Sequence, residues 1–534
     1  MKQNDLMGLY TSSTRERVEP CLPPLGGVHT GVIPSPHEIT TAICRRYERR
    51  PADGSGVERK MRWNGYKLRP RAPRSVVGIG MVLGLLGLGF VMGFLGPAAQ
   101  AEDAPSLPNI IFILADDLGM GDLGCYGQKH IQTPCLDRLA AEGIRFTQGY
   151  SGASVCAPSR ATLMTGLSTG HCPIRANREI GAEGQRPLPE GTVTVASILK
   201  SKGYATGCFG KWGMGMFDTT GSPLRMGFDR FVGYNCQRHA HHYFAKYLYE
   251  NDQRVELDGT VHSADWIGER ALAWIEANAR SQRPFFLFYA TTMPHTYHEV
   301  TTLGEYEHTD WTDAQKHYAA LVTRLDTEVG RVVECLEKNG IDRNTLIVFS
   351  GDNGGDFQPG SENEKFFNQS LGLRGWKRSV YEGGLRNACL AWWRGKIQPG
   401  QVCDVPWVLY DFLPTCVELT GAELPSGFQP DGKSITPLLW SGDAGAHLTD
   451  PSLLPRDAFY WELHEGTPIQ AVRFGDWKAV RNGPNKALEL YDLSVDWQER
   501  RDISAGNPDV VSRAEVLLRT MRTDVPQWHI TAPQ

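Results

Sequence analysis

From residue 105 onward, short uninterrupted apolar runs recur along the chain, and each ends in a polar cluster. Asn109–Ala115 (NIIFILA), Tyr204–Phe209, Pro284–Ala290 (PFFLFYA) and Thr345–Ser350 (TLIVFS) are such runs. Continuous apolarity rich in β-branched and aromatic residues predicts strands buried on both faces. Between them, apolar positions repeat with helical spacing. Leu136–Gly143, Val193–Gly203, Ser263–Ala279 and Ala314–Asn339 predict helices, with glycine stops at Gly143, Gly203 and Gly340. Ile144–Gly149 leads towards residue 156, and Ala388–Trp393 with Val405–Glu418 predicts a further strand and helix. Strands alternating with helices at these lengths predict an α/β fold, a mostly parallel sheet flanked by helices.

Two stretches break that rhythm. Residues 214–262 show little periodicity and many aromatics and histidines, and are expected to be an inserted, ligand-facing region. From about Leu454, short aromatic alternations (DAFYWEL, QAVRFGDWKAVRN, LELYDL) separated by turn residues predict a small antiparallel sheet, followed by a helix over Pro508–Arg522. The expected division is a leader over 1–101, a main domain over 102–453 and a C-terminal subdomain over 454–534.

The leader is distinctive. Val76–Leu95 is an uncharged run of 20 residues, preceded by Arg69, Arg71 and Arg74 and followed by Ala99-Gln100-Ala101. A positive flank, an apolar core and a small-x-small exit are the parts of a secretory signal peptide, with cleavage expected after Ala101. The run is also long enough to span a bilayer, so an uncleaved form would be a membrane anchor. Its Gly-x-x-x-Gly spacings at Gly80/Gly84 and Gly89/Gly93 would then offer a pairing face. Residues 1–60 are Pro-rich and weakly patterned, and translation is expected to start at Met61. Either way the body is exported, to the periplasm or beyond the cell.

Charge divides along the same line. The whole chain carries −5, but residues 1–75 carry +7, leaving −12 for the remainder. So acidic a body argues against a nucleic-acid partner held by phosphate neutralisation. Of the 12 cysteines, Cys21 and Cys44 lie in the leader. An exported body permits disulfides, and Cys125/Cys135 and Cys403/Cys416 are candidate local bridges. No Cys-x-x-Cys zinc spacing occurs.

Candidate chemistry gathers at the strand ends. Asp116-Asp117, Lys211, His295 and Asp352-Asn353 each follow a predicted strand. In parallel sheets ligands bind outside the carboxyl ends of the strands. Three carboxylates and an amide oxygen suit a hard cation, Ca²⁺ or less readily Mg²⁺. Taken singly, each Asp/Asn/Gly cluster could be no more than a turn.

The segment Ser154-Val155-Cys156-Ala157-Pro158-Ser159-Arg160-Ala161-Thr162-Leu163-Met164-Thr165-Gly166 adds a nucleophile type at a helix start. Pro158 fits the first turn and Gly166 the end. Free N–H groups at a helix N-terminus favour bound anions and are expected to lower the Cys156 thiol pKa. Arg160 adds a planar cation one turn in.

The Cys-x-Pro-Ser-Arg pattern followed by Leu-Met-Thr-Gly closely resembles the sulfatase signature. The resemblance extends to Pro108–Tyr126, Thr133–Gly143, Phe209–Gly215, Asn344–Gly355, Leu373–Arg386 and the closing LELYDLSVDWQERRDIS. It implies the alkaline-phosphatase-like fold and hydrolysis of sulfate esters. It further implies that Cys156 is converted by a maturation enzyme to formylglycine, whose hydrate is both nucleophile and calcium ligand. Asp116, Asp117, Asp352 and Asn353 would hold the Ca²⁺, and Arg160 would steady the hydrate. Lys211 and Lys377 would contact the sulfate, and His295 the ester oxygen, with His298 as the alternative histidine. One hydroxyl of the hydrate would attack sulfur and the second would expel sulfate, a release that an ordinary Ser or Cys cannot perform.

One position departs from the family pattern. After Lys-Trp many members carry His, whereas residue 213 is Gly, so another group, a water or a nearby His, is expected to fill that place. His239, His241 and His242 resemble a metal cluster but are expected at a substrate rim or on the surface. Sulfated glycans are the expected substrates. The alternatives are a phosphodiester or phosphonate monoester hydrolase sharing the signature, and a non-catalytic glycan-binding relative.

Overall fold

The computed structural model describes residues 107–181, 184–356 and 362–530. The predicted leader, its apolar run and the proposed start at Met61 lie outside the described residues. Among the described residues no helix is long and apolar enough to cross a membrane.

A twelve-stranded sheet forms the centre. Its strands are β1 (Asn109–Ala115), β2 (Ile144–Tyr150), β3 (Ala205–Lys211), β4 (Arg230–Tyr234), β5 (Tyr247–Glu250), β6 (Gln253–Glu256), β7 (Phe285–Ala290), β8 (Thr345–Gly351), β9 (Arg386–Trp392), β10 (Gln401–Cys403), β11 (Trp407–Val408) and β12 (His447–Leu448). The spatial order is β12-β10-β2-β9-β8-β1-β7-β3-β4-β5-β6, with β11 beside β2. Pairing is parallel except around β9 and through the β4-β5-β6 edge.

Why β1 lies in the middle follows from its side chains, which alternate between the two faces. Ile111 and Ile113 join the core under the helices Pro134–Glu142, Ser263–Ser281 and Asp313–Lys338. Ile110, Phe112 and Leu114 join the opposite core, under Cys156–Thr165, Val195–Ser201 and Phe412–Thr420. Both faces are apolar, so both must be covered.

A separate four-stranded antiparallel sheet comprises β13 (Phe459–Leu463), β14 (Ile469–Phe474), β15 (Trp477–Arg481) and β16 (Glu489–Asp492). One face shares a core with Tyr150, Leu385, Val408 and Tyr410, and the other packs Ala514 and Leu518 of the Pro508–Thr520 helix.

Two expectations are corrected. Residues 214–262 are not simply an irregular insert, because β4, β5 and β6 arise there and extend the main sheet. These strands are only four or five residues long, too short to impose a visible period. The expected local disulfides do not form, since Cys125, Cys403 and Cys416 are unpaired thiols. Cys403 sits in β10 with its Sγ turned to Val405 O, while Cys416 lies within the Phe412–Thr420 helix.

Candidate active site

Strands β8, β1, β7 and β3 are consecutive neighbours and all parallel. Their carboxyl ends therefore lie side by side, at a spacing of about 4.8 Å per strand. Asp352-Asn353 leave β8, Asp116-Asp117 leave β1, His295 follows β7, and Lys211 closes β3. The ladder continues past the strands: Asp352 N–H donates to Ala115 O at 2.9 Å, and Asp116 N–H to Met293 O at 3.0 Å. These bonds fix where the polar side chains start.

Cys156 enters from beside this row as the first residue of the Cys156–Thr165 helix. All ten residues of that helix are buried, and Gly166 ends it with φ at 69°, a left-handed cap. Val155 provides no side-chain cap. Instead Asn177 Oδ1, from a distant loop, accepts the Ala157 N–H at 2.9 Å.

The side chains meet in one cluster. Cys156 Sγ lies 3.4 Å from Asp116 Oδ1, and Lys211 Nζ 2.6 Å from Asp116 Oδ2. Lys377 Nζ lies 2.6 Å from Asp117 Oδ2 and 3.1 Å from His295 Nε2. His295 Nδ1 donates to Thr296 O at 2.6 Å, a carbonyl that only accepts, and Nε2 faces the cluster, 3.1 Å from Asp117 Oδ2. Arg160 donates through Nε and Nη2 to Asp352 Oδ2, through Nη1 to Lys211 O, and lies 3.6 Å from Asp116. Asn353 Nδ2 donates to Asp117 Oδ1 at 2.7 Å.

Electrostatics follow from burial and these partners. Burial opposes the charge on Asp116, but Lys211 and Arg160 overcome it and hold the carboxyl well below its usual range. For Asp117, Lys377 and His295 likewise outweigh burial, and the shift is downward. Asp352 goes the other way: burial and the Asp116 charge push it up to about 7 despite Arg160. Asp116 keeps Lys211 protonated against the cost of burying it.

Cys156 corrects the expectation of a lowered thiol pKa. Burial, then the Asp116 charge, drives the thiol well above its ordinary value, although Lys211 pulls the other way. The residue is 1% exposed, and desolvation of a thiolate outweighs a helix end. This is not an activated thiolate.

The donor set fits a hard cation. Asp116, Asp117, Cys156 and His295 each place a ligand atom within 4.8 Å of the others. Asp352 and Asn353 border the same cluster, and the buried Oδ1 of Asn353 has no hydrogen-bond partner among the described residues. A buried carbonyl oxygen without a donor, beside three carboxylates, is the environment that a metal ion satisfies.

Comparison with known proteins gives this geometry its family. The Sulfatase family profile matches residues 108–422. The mouse steryl-sulfatase is 32% identical over 478 residues, covering 73% of each chain, and the rat N-acetylgalactosamine-6-sulfatase is 31% identical over 438 residues, covering 75% of each. The chain belongs to the sulfatase family. It is a sulfuric ester hydrolase. Among solved structures, Ps i-CgsB in complex with k-i-k-neocarrahexaose superposes with a TM-score of 0.67 at 28% identity, covering 80% of this chain and 95% of that one.

All nine of the sulfatase's sequence-derived site residues converge: Asp116, Asp117, Cys156, Arg160, Lys211, His295, Asp352, Asn353 and Lys377. His295, not His298, lines the cleft above them. The three neighbouring histidines do not form a metal cluster. His241 stacks on His295 at 4.3 Å, His239 on Tyr247, and His242 lies against Tyr297. Asn177, Gln237, Asp356 and Glu465 also line the cleft, beyond the residues the sequence indicates. Single amides and acids in loops follow no period, so nothing in the sequence marks them.

Proposed function

We propose that this sulfatase hydrolyses sulfate esters carried on glycans, with formylglycine formed from Cys156 by a maturation enzyme and a calcium ion held by Asp116, Asp117, Asp352 and Asn353. The observation that carries the reading is the position of Cys156: 3.4 Å from Asp116, among buried carboxylates and lysines, with its thiol pKa driven up. A cysteine so placed is a poor thiolate nucleophile, yet its side chain occupies the ligand cluster. Conversion to an aldehyde accounts for both facts.

The hydrate supplies two hydroxyls on one carbon, one to attack sulfur and one to release sulfate, and calcium supplies charge that lowers the cost of bringing an oxygen nucleophile to an anion. The chain's own residues do the rest. Lys211 and Lys377 present buried ammonium groups to the sulfate oxygens. His295 Nε2, beside Lys377, is placed to carry a proton to the departing alcohol. Arg160 holds Asp352 and the Lys211 backbone in register.

The glycan reading rests on the cleft lining. Asn177, Gln185, Gln237, Arg238, Asp356 and Glu465 surround its mouth, and Tyr297, 55% exposed, is the aromatic surface among them. Amides, acids, arginines and histidines dominate the lining, so sugar hydroxyls find donors and acceptors around a ring on which a sugar can stack. By name the relatives include steryl-sulfatases, N-acetylgalactosamine-6-sulfatases and an arylsulfatase. The lining favours the second kind. The Arg-flanked apolar run Val76–Leu95, followed by Ala99-Gln100-Ala101, supports an exported protein.

The test is the mass of the peptide containing Cys156 from active protein, together with turnover on sulfated oligosaccharides, an aryl sulfate and an aryl phosphodiester. Loss of a sulfur and two hydrogens with gain of an oxygen, and preference for sulfated sugars, is expected. An unmodified thiol in fully active protein, or preference for the phosphodiester, would refute the reading.

A further inference from the structure

Asn177 has two neighbours that determine its orientation. The Ala157 backbone N–H can only donate, so the atom it meets at 2.9 Å is the oxygen Oδ1. Gln237 approaches the same oxygen at 3.3 Å and must therefore present its Nε2. With both donors on Oδ1, the Nδ2 of Asn177 is turned away from them, and no acceptor among the described residues bonds it. Asn177, Gln237 and Cys156 line one cleft.

The backbone around Asn177 is equally constrained. Its N–H donates to Glu465 Oε1 at 3.0 Å, Glu465 Oε2 accepts from Arg378 Nε at 2.9 Å, and the Arg378 N–H donates to Ser154 O at 2.8 Å. The loop is thus tied back to the residues just before Cys156.

Gln237 depends on a glycine. Gly213, two residues beyond Lys211, has φ at +77°, and a Cβ there would stand 2.9 Å from Gln237 Nε2 and 3.1 Å from its Cγ. Gln237, 6% exposed, fills the space over Gly213.

We infer that Asn177 is a substrate-binding residue whose Nδ2 donates to an oxygen of the sulfate group, and that Gln237, seated on Gly213, is the positioning residue that sets it. This rests on the sulfate-ester reading above. A sulfate oxygen beside residue 156 needs donors, and Asn177 provides one with its rotation already fixed, so little order is lost on binding.

The experiment compares wild type, Asn177→Asp, Gln237→Leu and the double variant. It measures steady-state hydrolysis of 4-nitrophenyl sulfate and of a sulfated disaccharide, the Ki of inorganic sulfate, and the thermal midpoint with and without sulfate. Asn177→Asp keeps the Ala157 cap, because Asp caps as well as Asn, but replaces the donor with a negative acceptor. We expect kcat/KM to fall about tenfold or more and the sulfate Ki to rise in step, with Tm little changed. Gln237→Leu should give a smaller loss, and the double variant should be no worse than Asn177→Asp alone, since Gln237 acts through Asn177. If Asn177→Asp matches wild type within twofold in both kcat/KM and sulfate Ki, Asn177 is only a cap and the inference falls. If the two losses add fully, Gln237 does not act through Asn177 and its assigned role falls. Wild type with neither turnover nor a sulfate-dependent rise in Tm would instead overturn the parent reading.

Discussion

Arg160 and Asp352, both fully buried, meet at a single oxygen: guanidinium Nε lies 3.1 Å and Nη2 2.8 Å from Asp352 Oδ2. The remaining arm bonds Lys211 O at 2.7 Å, so one side chain joins the ends of β8 and β3. Removing it leaves a buried acid without its cation. Arg160→Ala should cost about 3–5 kcal/mol by denaturant melt. Arg160→Lys should recover only part, having no planar fork to span the two partners.

Calcium should raise the thermal midpoint, because the ordered carboxylates exist only in the folded chain. At about 100 times its Kd, a ligand that binds only the folded state adds about 2.7 kcal/mol. Calorimetry with calcium against chelator should show the rise, magnesium should give a smaller one, and Asp117→Asn or Asn353→Ala should shrink it. Equal midpoints with calcium and with chelator would refute the metal site.

Lys377 bridges Asp117 and His295. Lys377→Met keeps much of its length but removes the charge. Steady-state assay on a sulfate ester should show kcat reduced by about 10²–10³-fold, as when one transition-state donor is lost. A change confined to KM would move Lys377 from chemistry to binding.

A second buried ionic group lies apart from the candidate active site. Lys478 Nζ sits 2.8 Å from Glu382 Oε1 and 2.9 Å from Glu499 Oε1, and all three side chains are buried. Arg386 and Arg473 add their charge beside Glu382, so Glu499 is the less compensated of the two carboxylates. Burial opposes charge on both; Lys478 holds Glu382 down at about 2, while Glu499, which also faces Glu382, is pushed up to about 7. A folded-state pKa above the unfolded value means that Glu499 contributes fully below about pH 4.5 and loses that contribution as pH rises through about 7. Wild-type stability should therefore decline by up to about 3 kcal/mol between pH 5 and 8 on this account. Glu499→Gln should flatten that decline in pH-dependent melts. Glu382 acts oppositely, losing its contribution only as pH falls from about 4.5 through about 2.

Gly213 departs from the family pattern, and the structure shows what stands in the space: Gln237. Gly213→Ala should lower stability by about 1–2 kcal/mol, because the left-handed φ and the close side chain both penalise a Cβ. Gly213→His should displace Gln237 and lower turnover. A sharp rise in turnover with unchanged folding would show that nothing had taken over the missing role.

The parts of this protein legible in its sequence are those written in periodic patterns. β1, β7 and β8 are apolar runs buried on both faces, and their polar ends gave Asp116, His295 and Asp352 together. Other features required the third dimension. The antiparallel insertion of β9 between β8 and β2 is a matter of topology, which a strand's own residues do not encode. A helix start can be seen in a sequence and complete burial cannot, and burial is what sets the Cys156 thiol pKa. Asn177 and Gln237 matter through a shared oxygen and an absent Cβ, neither of which has a sequence signature.

The order of strands across the sheet has a consequence for how the protein comes into being. β1 is among the earliest strands made, yet its neighbours β7 and β8 follow some 170 and 230 residues later. Pairings this remote in the chain form slowly, since a long loop must close before any contact rewards it. Asp116 and Asp117 thus wait some 235 residues for Asp352, and a polypeptide stopped before that residue lacks Asp352, Asn353 and Lys377, with no means of completing the site.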